Sequence, residues 1–92
     1  MDLLSQVKEY LRITWEDEAE DRNVLGFIAA GVSYLNRKAG FDIPFEGEDA
    51  DIDAVMLLKD YVRYARSNAL DEFEGNYSHE IGSLREKYES KL

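Results

Sequence analysis

Apolar residues near the start of the chain recur at the spacing of an α-helix. They are Leu3, Leu4, Val7, Tyr10 and Leu11. Because positions three and four apart share one helical face, this pattern predicts a first helix over about residues 2–13. Asp2 stands at its start and is a residue type that caps helices by accepting a hydrogen bond from a backbone N–H.

A longer apolar stripe follows and predicts a second helix over about residues 17–39. Its members are Val24, Leu25, Ile28, Val32 and Leu35. Gly40 comes directly after the stripe and is typical of a helix end. The segment from Thr14 to Asp17 resembles a capping box in which Asp replaces the usual Glu. The acids that come next favour a helix start, because they complement the helix dipole.

Residues 40–48 are predicted to form a loop, since they contain the single proline of the chain, Pro44. Phe41, Ile43 and Phe45 alternate within this segment, which is compatible with a short extended piece. We expect these three side chains to pin the loop onto the helices.

A third helix is predicted to begin after Asp49 or Asp51, either of which can cap it. Its apolar positions are Ile52, Val55, Leu58, Val62, Ala65 and Ala69, with Leu57, Tyr61 and Tyr64 widening the same face. So wide an apolar face predicts that this helix is the central one.

The pattern breaks over residues 71–75, and a more polar last helix follows. Asn76 or Ser78 can cap it, and its apolar positions are Ile81, Leu84 and Tyr88. The chain is therefore expected to be an all-α domain over residues 1–92, a small bundle of about four helices with a long central helix and a connecting loop. The last helix, from about residue 76, is expected to be mobile or to depend on a partner.

Composition narrows the class of function. The 92 residues carry a net charge of -9, and residues 41–75 hold 10 acids and 3 bases. Such a surface repels nucleic acid and anionic lipid, because phosphate binding needs clustered Lys and Arg. Hydrophobic residues make up 45% of the chain, which is too many for a disordered acidic tail. No apolar run approaches the roughly 18 residues of a membrane span, so no membrane role is expected.

Candidate chemistry is sparse. Asp49, Asp51 and Asp53 match the first ligand positions of a calcium loop, but the required glycine is Ala54, so helix capping is the preferred interpretation. His79 is the single histidine and there is no cysteine, which leaves no usual triad or zinc site. We therefore expect no enzyme activity, no metal and no cofactor.

Residue types that favour protein contacts are more prominent. The second helix is thin around Gly26, Ala29, Ala30 and Gly31, which indicates close packing either within the monomer or against another subunit. Six tyrosines and Trp15 either edge a small core or lie at an interface. Two arginines flank a tyrosine of the third helix and could pair with carboxylates of a neighbour. The candidate interface residues are Trp15, Gly26, Ala30, Tyr61, Arg63, Tyr64 and Arg66.

The order of these pieces resembles the phage head–tail connector family, the head completion adaptors. The most specific part is the hydrophobic-x-x-Val-Lys-x-Tyr-Leu-Arg-Ile segment, which is residues 4–13 here, followed by the acidic stretch 15–21. A long helix then ends in Tyr34-Leu35 before Gly40, and a later helix, over residues 55–66, carries apolar residues that lead into a Tyr/Arg cluster. The resemblance covers roughly residues 3–70, although the spacing of Tyr and Arg over 61–66 departs from the family pattern.

This resemblance implies a structural virion protein. Members form a ring beneath the portal of a tailed phage or prophage and join the head to the tail. The implied partners are other copies of the chain, the portal protein and a downstream head-completion or tail protein. DNA passes through the channel without specific binding, which an acidic surface would favour. The implied location is the virion, and the host cytoplasm during assembly.

Two other functions compete with this one. An acidic helical DNA mimic or inhibitor would bind a basic partner through carboxylates spaced like phosphates, but the acids here cluster mainly at helix starts. A small hydrolase would need a convergent set of catalytic side chains, which the sequence does not indicate.

Overall fold

Five α-helices make up the fold in the computed structural model, which describes residues 2–91. They are α1 (Leu3–Tyr10), α2 (Glu18–Ala39), α3 (Ile52–Arg66), α4 (Leu70–Asn76) and α5 (Ser78–Glu89). No strand occurs within residues 2–91. The predicted all-α class and the small helical bundle are confirmed, with one helix more than the expected four.

Aspartates start the first three helices. Asp2 accepts a hydrogen bond from the Ser5 N–H at 2.8 Å, as predicted. Asp17 caps α2 by accepting from Ala19 N at 2.9 Å, so the predicted capping box, with Thr14 at its start, is wrong and its last residue is the cap. Asp51, and not Asp49, caps α3.

The first helix is shorter than predicted. It ends at Tyr10, and Arg12 adopts a left-handed φ of 62°, which stops the helix before residue 13. The turn leaves Ile13 only 7% exposed. Ile13, which the predicted helix bounds included, therefore reaches the core from outside the helix.

The third helix is the centre of the bundle, as predicted. It packs against all four other helices, and α2 lies along both α3 and α5. The largest fully buried side chains are contributed by α1, α2, α3 and α4, namely Val7, Val24, Leu35, Leu58, Val62 and Phe73. Burial of these side chains is the main force that holds short helices together.

The connection between α2 and α3 is fastened to the bundle, as expected. Ile43 and Phe45 are each 6% exposed, and the Phe41 ring stacks on Tyr88 with 4.7 Å between ring centroids. The Ile43 N–H donates to the side-chain oxygen of Asn36 at 3.0 Å. The loop thus joins the end of α2 to α5 as well as to α3.

The segment predicted as a break, residues 71–75, is instead the body of α4. Helix α3 ends at Arg66 and not at Ala69, because Asn68 turns the chain with a φ of 56°. Phe73 then enters an aromatic cluster and is only 1% exposed. Tertiary burial of one ring stabilises this short polar helix, which its own residues would not do alone.

The last helix packs against α2, α3 and α4. Its predicted apolar residues Ile81, Leu84 and Tyr88 are all buried. Neither Asn76 nor Ser78 caps it; the N-cap position is Tyr77, without a side-chain capping bond, since the helix follows α4 almost directly. That this helix is mobile or depends on a partner stays a prediction.

Candidate partner-binding surfaces

The tyrosines of α3 lie mostly inside an aromatic cluster. Tyr61 is 8% exposed, and its ring centroid lies 5.5 Å from Tyr34 and 5.4 Å from Phe73. Tyr64 is half-buried, with its centroid 5.5 Å from Phe73 and 5.6 Å from Tyr77. These rings join α2, α3, α4 and the start of α5. Tyr61 therefore offers a partner almost no surface, whereas Tyr64 remains partly accessible.

The arginines of α3 already have partners within the chain. Arg66 pairs with Glu20 and so ties the end of α3 to the start of α2. Arg63 lies 3.5 Å from Asp60 and over the Tyr10 ring, with 54% of its side chain exposed. Replacing Tyr64 or Arg66 would disturb the fold as well as any interface, so these two positions are poor probes of assembly.

Trp15 lies in the connection between α1 and α2 and is 53% exposed. The left-handed turn at Arg12 directs the chain out of α1 and leaves the indole beside a shallow depression lined in part by Lys8 and Arg12. A large exposed indole is a common interface anchor, because it is apolar along its body and can donate a hydrogen bond.

The thin part of α2 faces in two directions. Gly31 is buried, and a Cβ built on it would lie 2.6 Å from Leu58 Cδ1, so this glycine permits close packing within the monomer. Gly26, Ala29 and Ala30 are exposed, and no heavy atom lies within 4 Å of a Cβ built at Gly26. Both interpretations of this segment therefore apply, to different residues. Gly31 allows α2 to pack closely on α3, whereas Gly26, Ala29 and Ala30 leave a smooth outer surface on α2.

A groove between α3 and α5 is a surface feature that the sequence analysis did not predict. Its volume is about 270 Å³. The residues that line it are Asp53, Met56, Leu57, Asp60, Tyr77, His79, Glu80, Ser83, Leu84 and Lys87. Ile52 and Met56, on the outer side of α3, are 70% and 45% exposed. The sequence did contain a signal, because these two apolar residues lie one helical turn apart within an otherwise acidic helix start.

Asp51 holds α5 in place beside this groove. Its carboxylate accepts hydrogen bonds from the Ala54 N–H at 3.1 Å and from the Tyr88 hydroxyl at 2.5 Å, and it pairs with Lys87 at 2.9 Å. Burial opposes its ionisation, but these bonds together outweigh burial and lower the pKa of Asp51 below 3.8. Burial and the same carboxylate raise the pKa of Tyr88 to about 12.

Tyr10 links α1 to the same region. Its hydroxyl donates to Asp60, and this hydrogen bond raises the pKa of Tyr10. Lys8 pairs with Asp21 at 2.7 Å, while Val7 and Ile13 are buried. The side chains of the Val-Lys-x-Tyr-Leu-Arg-Ile segment therefore fasten α1 to α2 and α3.

Within residues 2–91 there is no group of three or more His, Asp or Glu residues able to hold a metal ion. Nor does any helix in that range have the length and apolar character to span a membrane. Comparisons of this chain with protein-family models, with curated proteins and with solved structures find no match.

Proposed function

We propose that this chain is a structural subunit of a head–tail connector, which assembles as a ring between the portal and the tail of a tailed phage or prophage. The observation that carries the proposal is the presence of distinct exposed surfaces on different parts of one bundle. They are Trp15 before α2, the outer side of α2 at Gly26 and Ala30, and the α3–α5 groove. A subunit of a closed ring needs two different contact surfaces, one for each neighbour.

The family resemblance supports the same proposal through the fold. The segment over residues 4–13 that resembles the connector family supplies the contacts that fasten α1 to the bundle. Because residues 4–13 stabilise the bundle itself, their resemblance to the family concerns the fold of the subunit. The surfaces that contact other subunits are proposed to lie outside this segment. Trp15 and the outer side of α2 are therefore better candidates for subunit contacts than the tyrosines of α3.

Charge supports a channel that DNA crosses without being held. The chain carries a net charge of -9, and at least six of its basic side chains already form ion pairs with its own acids. Few cations remain to grip phosphates, so translocating DNA would meet repulsion and not binding. The proposed role is structural and without catalysis, in the virion and, during assembly, in the host cytoplasm.

Native mass spectrometry of the full chain, alone and with the portal protein of the same phage or prophage, tests this function. We expect a closed ring, alone or on the portal. Trp15→Ala and Ala30→Glu should each impair ring formation, because both change a proposed contact surface. The fold should remain intact, because both positions are exposed and neither change removes a buried side chain. Leu70→Ala is the matched control for Trp15→Ala, since it trims another large exposed apolar residue, on α4.

Two outcomes would count against the connector. The first is a chain that stays monomeric at every concentration and does not bind a portal ring. The second is a chain that binds basic DNA-binding proteins with steep salt dependence but does not bind the portal, which would favour the inhibitor function. Assembly that proceeds equally well in Trp15→Ala, Ala30→Glu and Leu70→Ala would leave the connector standing and refute these contact residues.

A further inference from the structure

The groove between α3 and α5 has the form of a docking site for apolar side chains. Leu57 and Leu84 are buried at 5% and 3% exposure, and Met56, at 45%, forms one wall. Ligand pockets for whole small molecules typically measure about 300–1,000 Å³. At about 270 Å³ this groove falls below that range, and it suits the side chains of a protein segment better.

The rim of the groove is acidic. Asp53 and Asp60 line it from α3, and Glu80 lines it from α5. Asp53 and Glu80 form no ion pair with any residue in the described range 2–91, and Asp60 is engaged by Tyr10 and Arg63. The one lysine of the lining, Lys87, pairs with Asp51 at 2.9 Å. Asp53 and Glu80 thus present negative charge on the rim that no basic side chain among residues 2–91 neutralises in an ion pair.

We propose that this groove binds a segment of a different protein, an amphipathic helix with apolar residues on one face and Lys or Arg beside them. Apolar side chains would occupy the space over Leu57 and Leu84, and the flanking cations would face Asp53 and Glu80. A second copy of this chain fits poorly, because its net charge is -9 and at least six of its eleven bases are already paired. The inference rests on the proposed function in one respect: the portal or tail would supply that helix.

Fluorescence anisotropy with a synthetic probe tests the groove without any ring. The probe is a labelled peptide of about four helical turns, with Leu on one face and Lys on the other. We expect it to bind the full-length chain. A peptide with the same residues in scrambled order, and one with Glu in place of Lys, should bind at least about tenfold more weakly, since each lacks either the segregated apolar face or the cations.

Matched variants locate the binding. The double change Asp53→Asn with Glu80→Gln should weaken binding of the Leu/Lys peptide about 2- to 10-fold, in line with two exposed ion pairs. The control Glu46→Gln with Glu48→Gln removes the same charge from the exposed α2–α3 connection and should leave binding unchanged. Ser83→Phe fills the groove from α5 and should abolish binding, while circular dichroism verifies that the helices remain.

The same measurements can overturn the proposal. Equal weakening by the two charge-removing double variants, with binding by Ser83→Phe unchanged, would show that the peptide responds only to net charge. Absence of peptide binding to the unmodified chain would exclude a basic helix as the occupant. Self-association that Ser83→Phe prevents would assign the groove to a second copy. If the chain forms rings on a portal but does not bind the peptide, the proposal for the groove is refuted and the proposed connector function stands. The two proposals can therefore fail independently.

Discussion

Replacing each of the two glycines of α2 by alanine should have opposite effects on the stability of the protein. A Cβ added at Gly31 would lie 2.6 Å from Leu58 Cδ1 and 2.8 Å from Tyr61 Cδ1, whereas one added at Gly26 would meet no heavy atom within 4 Å. Leu58 is fully buried, and the Tyr61 ring is held between Tyr34 and Phe73. Neither neighbour of Gly31 can therefore move aside freely.

The expected free energies follow from this difference. Alanine is favoured over glycine within a helix by about 1 kcal/mol, and both sites gain this term. Gly26→Ala should therefore stabilise the protein by about 0.5–1 kcal/mol. Gly31→Ala gains the same term but adds an overpacking cost of about 1–3 kcal/mol. The net effect should be destabilising, and the two variants should differ by about 2 kcal/mol.

Thermal and urea unfolding followed by circular dichroism measure both variants. For a domain of this size, 1 kcal/mol shifts Tm by about 4–8 °C, so the two variants should fall on opposite sides of the unmodified chain. Leu58→Val removes the Cδ1 atom that the new methyl group would meet, and in that background Gly31→Ala should cost less. If Gly31→Ala stabilises the protein as much as Gly26→Ala, the close approach of α2 and α3 at this point is wrong.

Three further predictions concern the buried contacts of α4 and α5. Phe73→Ala should destabilise the protein by about 3–5 kcal/mol in urea unfolding, and a loss no larger than that of exposed Leu70→Ala would refute its place in the core. Asp51→Asn should cost about 1–2 kcal/mol at pH 7. The folded pKa of Asp51 lies below the unfolded value of 3.8, so its stabilisation is present above pH 3.8 and is lost as the pH falls through the lower, folded pKa. The stability difference between Asp51→Asn and the unmodified chain should therefore vanish in acid. A difference that persists there would contradict the prediction. The Tyr88 pKa of about 12 exceeds the unfolded value of 10.0, so stability should decline from pH 10 to 12, and less so in Tyr88→Phe.

Much of the helical framework could be predicted from apolar periodicity. The stripe through Val24, Ile28 and Leu35 located α2 closely, because a period of 3.6 residues is a local property that the sequence carries in full. Residue type correctly predicted Asp2 as the N-cap of α1, and it limited the N-cap of α3 to Asp49 or Asp51. At α4 the same reasoning failed, since the burial of Phe73 against rings from three other segments has no local signal.

The candidate surfaces depended more heavily on the tertiary structure. Sequence alone singled out Gly26 and Gly31 together, and only the packing of α2 on α3 separated an exposed glycine from a buried one. Residue type alone favours Tyr61 and Tyr64 at an interface, yet their rings lie mainly in the aromatic cluster. The α3–α5 groove joins residues of two helices whose relative placement no local pattern encodes.

By itself, then, the sequence determined the helical class, the approximate extents of the longer helices, the central position of α3 and the acidic character of the surface. These depend on the spacing of apolar residues and on charge, both of which can be counted along the chain. Only the tertiary structure decided which side chains remain exposed, that Asp51 joins α5 to the start of α3, and that an acidic groove lies between those helices. Such features arise where distant segments exclude water from one another, and burial of that kind depends on the whole fold.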